Sequence, residues 1–258
     1  MLVVSQKLLI FNTKNIYFCD YPFDIGGCAA AKFIYCKHKV DAKGFSRENK
    51  LTAVIHLTQD LDIIWRNINK STRYQVKRAE REGFKIHLNE YYDEFYQINR
   101  GFHQGKGFGL IFDMDTPGVQ TMKKYATLFT AEYGGEILGG NLYLEDENHI
   151  RLWQSAFNRL KADKNKASLM GRANRLIHWN TITYAREKGI KEFDFGGIWP
   201  EGQAAQDQLK YNVNSFKLSF GTEVLPCYTY QKVYSPAYRL AQSLNALTGP
   251  GLKKIKWL

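Results

Sequence analysis

Cysteine is scarce in this chain. The four present, Cys19, Cys28, Cys36 and Cys227, form no CxxC pair and have no nearby histidines at ligand spacing. That argues against a zinc site and against a dense disulfide framework, and it fits a reduced cytoplasm. Long hydrophobic runs are missing as well. Each apolar stretch is broken by Lys, Asp or Asn before it approaches the roughly 20 residues that span a bilayer, so no transmembrane helix is expected. There is no basic leader followed by a small-residue cleavage site; Met1 to Phe11, apolar around Lys7, reads as a strand, and export is not expected. Internal repeats, low-complexity tracts and any Ser-His-Asp or Cys-His constellation are also lacking, so a covalent nucleophile is not proposed.

What is present is an ordinary globular composition. The 258 residues are 44% hydrophobic and 14% aromatic, enough to bury a sizeable core as one large domain or a domain plus a partial one. Lys and Arg outnumber Asp and Glu 36 to 25, for a formal charge of +11. The excess favours a phosphate-bearing partner, such as tRNA, coenzyme A, a nucleotide sugar or an anionic membrane surface, without choosing among them.

Three segments are expected. Residues 1–83 read as a β-rich region, with strands near Leu2 to Asn12, Ile16 to Cys19, Phe33 to Lys39 and Thr52 to Leu57, closed by a helix from Thr58 or Asp60 to Arg81 that Gly83 ends. Residues 84–233 read as strand, two helices, three strands, helix, strand, helix, strand. The three central strands form a meander, with turns at Gly134-Gly135 and Asp146 to Asn148. Gly105, Gly107 and Gly109 fall in the loop joining the two helices. Residues 234–258 read as a helix and the basic-aromatic tail Leu252 to Leu258, a surface appendage.

On helical spacing Lys70, Arg73, Lys77 and Arg81 share one face. That stripe either contacts phosphates or is a solvated face paired with Glu80 and Glu82. In His149 to Phe157, period-two alternation puts Trp153, Ser155 and Phe157 on one face and Leu152, Gln154 and Ala156 on the other. Gln154 and Ser155 are polar contact candidates there, and Trp153 is a core residue or a cleft wall. His178, beside Trp179 on the long helix, reads as a packed or surface histidine.

Two stretches carry a family resemblance. Trp65 to Phe84 looks like the helix introducing the second half of FemABX-like proteins. Glu192-Phe193-Asp194-Phe195-Gly196-Gly197-Ile198, followed by Ser215-Phe216-Lys217-Leu218-Ser219-Phe220-Gly221-Thr222-Glu223, is similar to that group's D-F-G-G and F-K-x-x-F-G-x-E signatures. The resemblance implies an α+β GNAT fold with a mixed central sheet, preceded by a partial β-rich N-terminal GNAT-like region. FemABX proteins usually pair two complete GNAT domains, and the part before Trp65 is too short for one.

The implied activity is an aminoacyl or acyl transfer forming an amide on an amine of a cell-wall or cell-surface precursor, nucleotide- or lipid-linked, in the cytoplasm or at the inner face of the membrane. The resemblance places Phe216 and Lys217 by the chemistry with Asp194. Gly196 and Gly197 either admit substrate closely or form a tight turn. Arg73 and Lys77 become phosphate contacts. No metal and no tightly bound cofactor is implied. The donor is an aminoacyl-tRNA or an acyl-CoA. Simple acetyltransferases cradle pyrophosphate with a [QR]-x-x-G-x-[GA] loop, and Ser168-Leu169-Met170-Gly171-Arg172-Ala173 matches its Gly and Ala at Gly171 and Ala173. Arg172 would supply charge there. A CoA-dependent N-acyltransferase of an amino sugar or small amine, and a nonenzymatic RNA- or membrane-binding module, are the alternatives.

Overall fold

The computed structural model describes residues 1–8, 10–105, 118–158 and 163–247. The tail 252–258, Gly107, Gly109 and residues 159–162 of the expected loop lie outside these. In chain order the first elements are β1 (Leu2–Leu8), β2 (Phe11–Tyr17), β3 (Ala30–Cys36), β4 (Ser46–His56), α1 (Leu61–Asn67), α2 (Lys70–Arg81) and β5 (Lys85–Leu88). Next are α3 (Tyr92–Gly105), α4 (Val119–Tyr125), β6 (Ala126–Tyr133), β7 (Glu136–Glu145), β8 (His149–Phe157) and α5 (Lys164–Glu187). The chain continues through β9 (Glu192–Ile198), α6 (Glu201–Ala204), α7 (Gln208–Leu218), β10 (Glu223–Val233) and α8 (Pro236–Leu247).

Packing divides the chain into two compact units, Met1–Thr52 with Leu225–Leu258, and Ala53–Val224. The sequence suggested a division after Gly83, whereas α1 and α2 belong to the second unit. In the first unit β1 runs antiparallel to β2, β2 parallel to β3, and β3 antiparallel to β10. Ile16, Phe33, Cys19, Cys36 and Tyr230 form its core. The expected strand Leu2 to Asn12 is two strands, because the chain reverses between Leu8 and Phe11 and pairs them.

In the second unit, which takes only the Ala53–His56 end of β4, the strand order is β4-β9-β8-β7-β6-β5. β5 through β8 are antiparallel neighbours, and β8 and β9 are parallel. Gly134 and Gly135, at φ +59° and +80°, make the β6–β7 turn, a geometry that side-chain-bearing residues adopt only under strain. α3 and α4 cover one sheet face, where Phe95 and Met122 pack on Leu128, Leu142 and Ala156. Gly140 allows this approach, since a Cβ there would stand 3.1 Å from the Phe95 ring and 2.6 Å from a backbone oxygen. α5 covers the other face. Asp163 caps it by accepting from the Lys166 amide, and Met170, Ala173, Ile177, Ile182 and Ala185 are its buried stripe.

Two expectations change here. The helix read from Thr58 or Asp60 to Arg81 is broken at Ile68-Asn69, because the Asn69 side chain accepts from the Thr72 amide at 2.7 Å and starts a new helix. In β8 the register shifts between Leu142 and Tyr143, which pair with Gln154 and Leu152. Trp153 bulges out of the ladder and packs with the Phe95 cluster. The bulge inverts the alternation, so Leu152 parts from Gln154 and Ala156 and joins the Tyr143 face.

Candidate active site

The site grows from the place where β8 and β9 part. Their parallel ladder runs from His149/Glu192 to Arg151/Asp194 and stops, although the strands continue to Phe157 and Ile198. Opposed residues in a parallel pair share a face, so the last rung sets Arg151 against Asp194. Both are buried, at 6% and 8% exposure, and they form an ion pair through Nη1 and Oδ2. The other Asp194 oxygen, Oδ1, accepts from the Gly196 amide at 2.7 Å. That bond turns the backbone at the strand's end, and Gly196 sits at φ +81°.

From the other side comes Lys217, in the last turn of α7. Its Nζ donates to the Gly197 carbonyl at 2.6 Å. A Cβ on Gly196 would lie 3.4 Å from Arg151 Nη2 and 3.9 Å from Lys217 Nζ, so the missing side chain leaves the space between the two cations open. Burial, and then the Arg151 charge, push the Lys217 ammonium down to about 8, against the pull of Asp194. Near neutral pH it therefore gives up or keeps its proton at little cost.

An aromatic cage supports α7. The His178 ring lies 4.7 Å from Phe195, 5.5 Å from Phe216 and 5.5 Å from Phe220, and Arg175 stands 5.1 Å over Phe216. Burial, with the Lys217 and Arg175 charges, drives the His178 pKa down to about 3. A neutral imidazole at 1% exposure is a packing and hydrogen-bonding group, here bonded to Tyr143 Oη at 2.9 Å.

The structure thus brings Asp194, Gly196, Gly197 and Lys217 together, with Phe216 in the wall behind them. Gln154 and Ser155 lie beyond the bulge, on the part of β8 that has left β9. Arg73 and Lys77 stand at the α1–α2 junction. Arg73 donates to the Arg66 carbonyl at 2.8 Å, closing the end of α1, and Lys77 Nζ lies 5.9 Å from the Trp65 ring centre. This junction braces the site indirectly. The Asn69 amide donates to the Ser219 carbonyl, and Thr72 Oγ1 bonds Ser219 Oγ, both at 2.9 Å.

Gly171 and Arg172 lie well inside α5, since residues 168–173 are helical and the helix begins at Lys164. Their amides serve the helix ladder, and the orphan amides are those of the first turn, before Ser168. The Arg172 guanidinium, 6% exposed, donates to Glu82 Oε2 at 2.7 Å and Ser168 Oγ at 2.8 Å. Burial raises the Glu82 pKa, but bonds from Arg78 and Arg172 outweigh it and hold the carboxylate below its usual range.

Arg151 is the functional candidate the sequence reading passed over. Its signal was a guanidinium on the same strand as the contact candidates Gln154 and Ser155, level with Asp194 on the next strand. Among the described residues, no group of three or more His, Cys, Asp or Glu could hold a metal ion.

The sequence of residues 67–210, which supplies this parallel strand pair and the long helix on one face, matches the acetyltransferase (GNAT) domain model. The chain belongs to the GNAT family. No curated protein sequence matches it. Among solved structures this GNAT chain is similar to FemX, with a TM-score of 0.61 and 13% identity over 92% of this chain and 85% of that one. It is also similar to a protein described as the C-terminal domain (DUF2156) of a lysylphosphatidylglycerol synthetase from Agrobacterium fabrum. That match has a TM-score of 0.52 and 14% identity over 88% of this chain and 75% of the other. At these identities the likeness is one of fold, and the GNAT fold here is FemABX-like. No described helix is long and apolar enough to cross a membrane.

Proposed function

We propose that this GNAT protein transfers an aminoacyl group from an aminoacyl-tRNA to an amine on a cell-wall or cell-surface precursor, with Lys217 as the catalytic residue. The observation that carries the reading is the partly buried Lys217 ammonium at the opening between β8 and β9, held on the Gly197 carbonyl beside Arg151 and Asp194. The neutral acceptor amine attacks the ester carbonyl. A C–N bond forms, and the carbonyl oxygen takes up negative charge that the Lys217 cation stabilises. Collapse breaks the ester C–O bond, and the proton lost by the attacking nitrogen reaches the leaving ribose oxygen. Asp194 holds Arg151 and the Gly196 turn in place, and Phe216 fixes α7 against His178.

A tRNA donor fits better than an acyl-CoA because residues 168–173, which would cradle a pyrophosphate, have their amides inside α5. The exposed Lys70, Lys77 and Arg81 of α2, with Arg73 at its side, offer contacts for a polyanion. Family membership favours the second reading, an acyl-CoA-dependent transfer to an amino sugar or small amine. The reaction would take place in the cytoplasm, at or near an anionic membrane face.

Radiolabelled aminoacyl-tRNAs, incubated with the protein and with nucleotide-linked or lipid-linked amine acceptors, test the proposal. Label should move into acid-stable amide with wild type and fall to background with Lys217→Ala. Transfer from acetyl-CoA but not from any aminoacyl-tRNA would replace this reading with the second one.

A further inference from the structure

The first unit holds a feature that the transfer chemistry does not use. β2 and β3 run parallel in register from Thr13/Ala30 to Tyr17/Ile34. Continuing that register sets Phe18 level with Tyr35 and Cys19 level with Cys36. Phe18 and Tyr35 both adopt the left-handed conformation, at φ +60° and +59°, which is uncommon for aromatic residues. Its effect is the same on each strand. Ile16 and Phe33 point into the core, and an uninterrupted strand would send the residue three positions on to the opposite face. The left-handed residue undoes that, so Cys19 and Cys36 rejoin Ile16, Phe33 and Tyr230 in one cluster. Their Sγ atoms lie 3.2 Å apart, both as free thiols.

We propose that Cys19 and Cys36 form a dithiol site which a low-molecular-weight disulfide oxidises to an intramolecular disulfide. Closing the sulfurs to a bond of about 2.05 Å takes about 1 Å of side-chain motion. Backbone pairing already extends past the cysteines, where the His38 amide donates to the Asp20 carbonyl at 2.9 Å. Cys19 is the entry point, being 8% exposed where Cys36 is fully buried. The Cys19 thiolate attacks one sulfur of the reagent, whose S–S bond breaks and releases one thiolate. The resulting mixed disulfide is resolved when Cys36, surrendering its proton to that thiolate, attacks the Cys19 sulfur and expels the second thiolate, which takes up from solvent the proton that Cys19 gave up. Two protein thiols are oxidised and one small disulfide is reduced to two thiols. The hydrogen bond to Cys19, together with burial, keeps the Cys36 thiol protonated in the reduced protein, so Cys19 attacks first; once Cys19 is in the mixed disulfide, its hydrogen bond and charge no longer hold the proton on Cys36. Elsewhere Cys28 bonds the Ile25 carbonyl at 3.8 Å, and Cys227 is buried on β10.

The test is to incubate the folded full chain with oxidised glutathione, quench in acid, alkylate, and read intact mass and a proteolytic map. Four alkylatable thiols should fall to two, with the loss of two hydrogens and a cross-linked peptide pair carrying Cys19 and Cys36; dithiothreitol should restore all four. Cys36→Ser should stop at a glutathione adduct on Cys19, while Cys28→Ser and Cys227→Ser should oxidise as wild type does. Four free thiols after excess oxidant, or a cross-link through Cys28 or Cys227, would overturn the proposal. The wild-type map decides the matter even where Cys36→Ser does not fold.

Discussion

The charge of Lys217 can be followed by its pH dependence. Burial and Arg151 lower its pKa from 10.5 to about 8. A displacement of that size is about 3 kcal/mol of differential stabilisation, which solvent screening at a half-buried position reduces to about 2 kcal/mol. With a pKa of about 8 the ammonium is roughly 90% charged at pH 7 and about 10% charged at pH 9. If the cation stabilises the oxyanion, kcat/KM falls about tenfold per pH unit above 8. An acceptor amine titrating in the same range adds a rising limb, which belongs to the substrate. Lys217→Arg keeps its charge throughout, so in that variant the falling limb should vanish although the maximum is lower. Lys217→Ala should lose about a hundredfold to a thousandfold in kcat. The assay is initial-rate label transfer between about pH 6 and 9.5, corrected for spontaneous ester hydrolysis. A falling limb that persists unchanged in Lys217→Arg would refute the assignment, since another group would then own it.

Other consequences follow from the same contacts. The lowered Lys217 pKa destabilises the native state while the group is charged in both states, a penalty present below pH 8 and relieved as pH rises from 8 towards 10.5. Lys217→Met should therefore unfold at higher urea at pH 7 by about 2 kcal/mol, and equal or lower stability would count against the burial argument. His178, buried neutral with a pKa of about 3 against 6.5 unfolded, contributes stability that is full above pH 6.5 and lost as pH falls towards 3. His178→Gln should flatten that loss in acid urea melts, by up to about 4 kcal/mol at the acid end. Gly196→Ala places a methyl between Arg151 and Lys217 at φ +81°. It should cost about 1 kcal/mol in stability but a larger factor in transfer rate, seen by pairing thermal melts with turnover. Arg172→Ala removes one of the two arginine partners of Glu82, Arg78 remaining, and should destabilise by about 1 kcal/mol in chemical denaturation while leaving donor affinity unchanged.

The sequence disclosed the parts of the fold that local chemistry decides. The meander was legible because Gly134-Gly135 and Asp146 to Asn148 end strands by turn geometry, and β7 and β8 run over the residues expected. The break at Asn69 was not read, because an asparagine inside an amphipathic run looks like a tolerated polar residue until its side chain caps Thr72. The bulge at Trp153 was invisible for a related reason: strict alternation is the default, and only pairing with β7 reveals the extra residue. At the site, Asp194, Gly196, Gly197 and Lys217 were chosen from motif resemblance and do meet in space. Arg151 needed the β8–β9 register, a long-range fact. The Ser168 to Ala173 pattern looked like a phosphate loop because a six-residue match does not reveal where a helix starts.

Calorimetric titration of the wild-type chain with coenzyme A and, separately, with a charged tRNA mixture tests the central claim most directly, with Lys217→Ala turnover measured on the same preparations. Wild type should bind tRNA with an affinity that weakens with added salt, show no measurable coenzyme A binding, and carry out aminoacyl transfer that Lys217→Ala abolishes. Micromolar coenzyme A binding with no tRNA binding, or full transfer by Lys217→Ala, would contradict the claim.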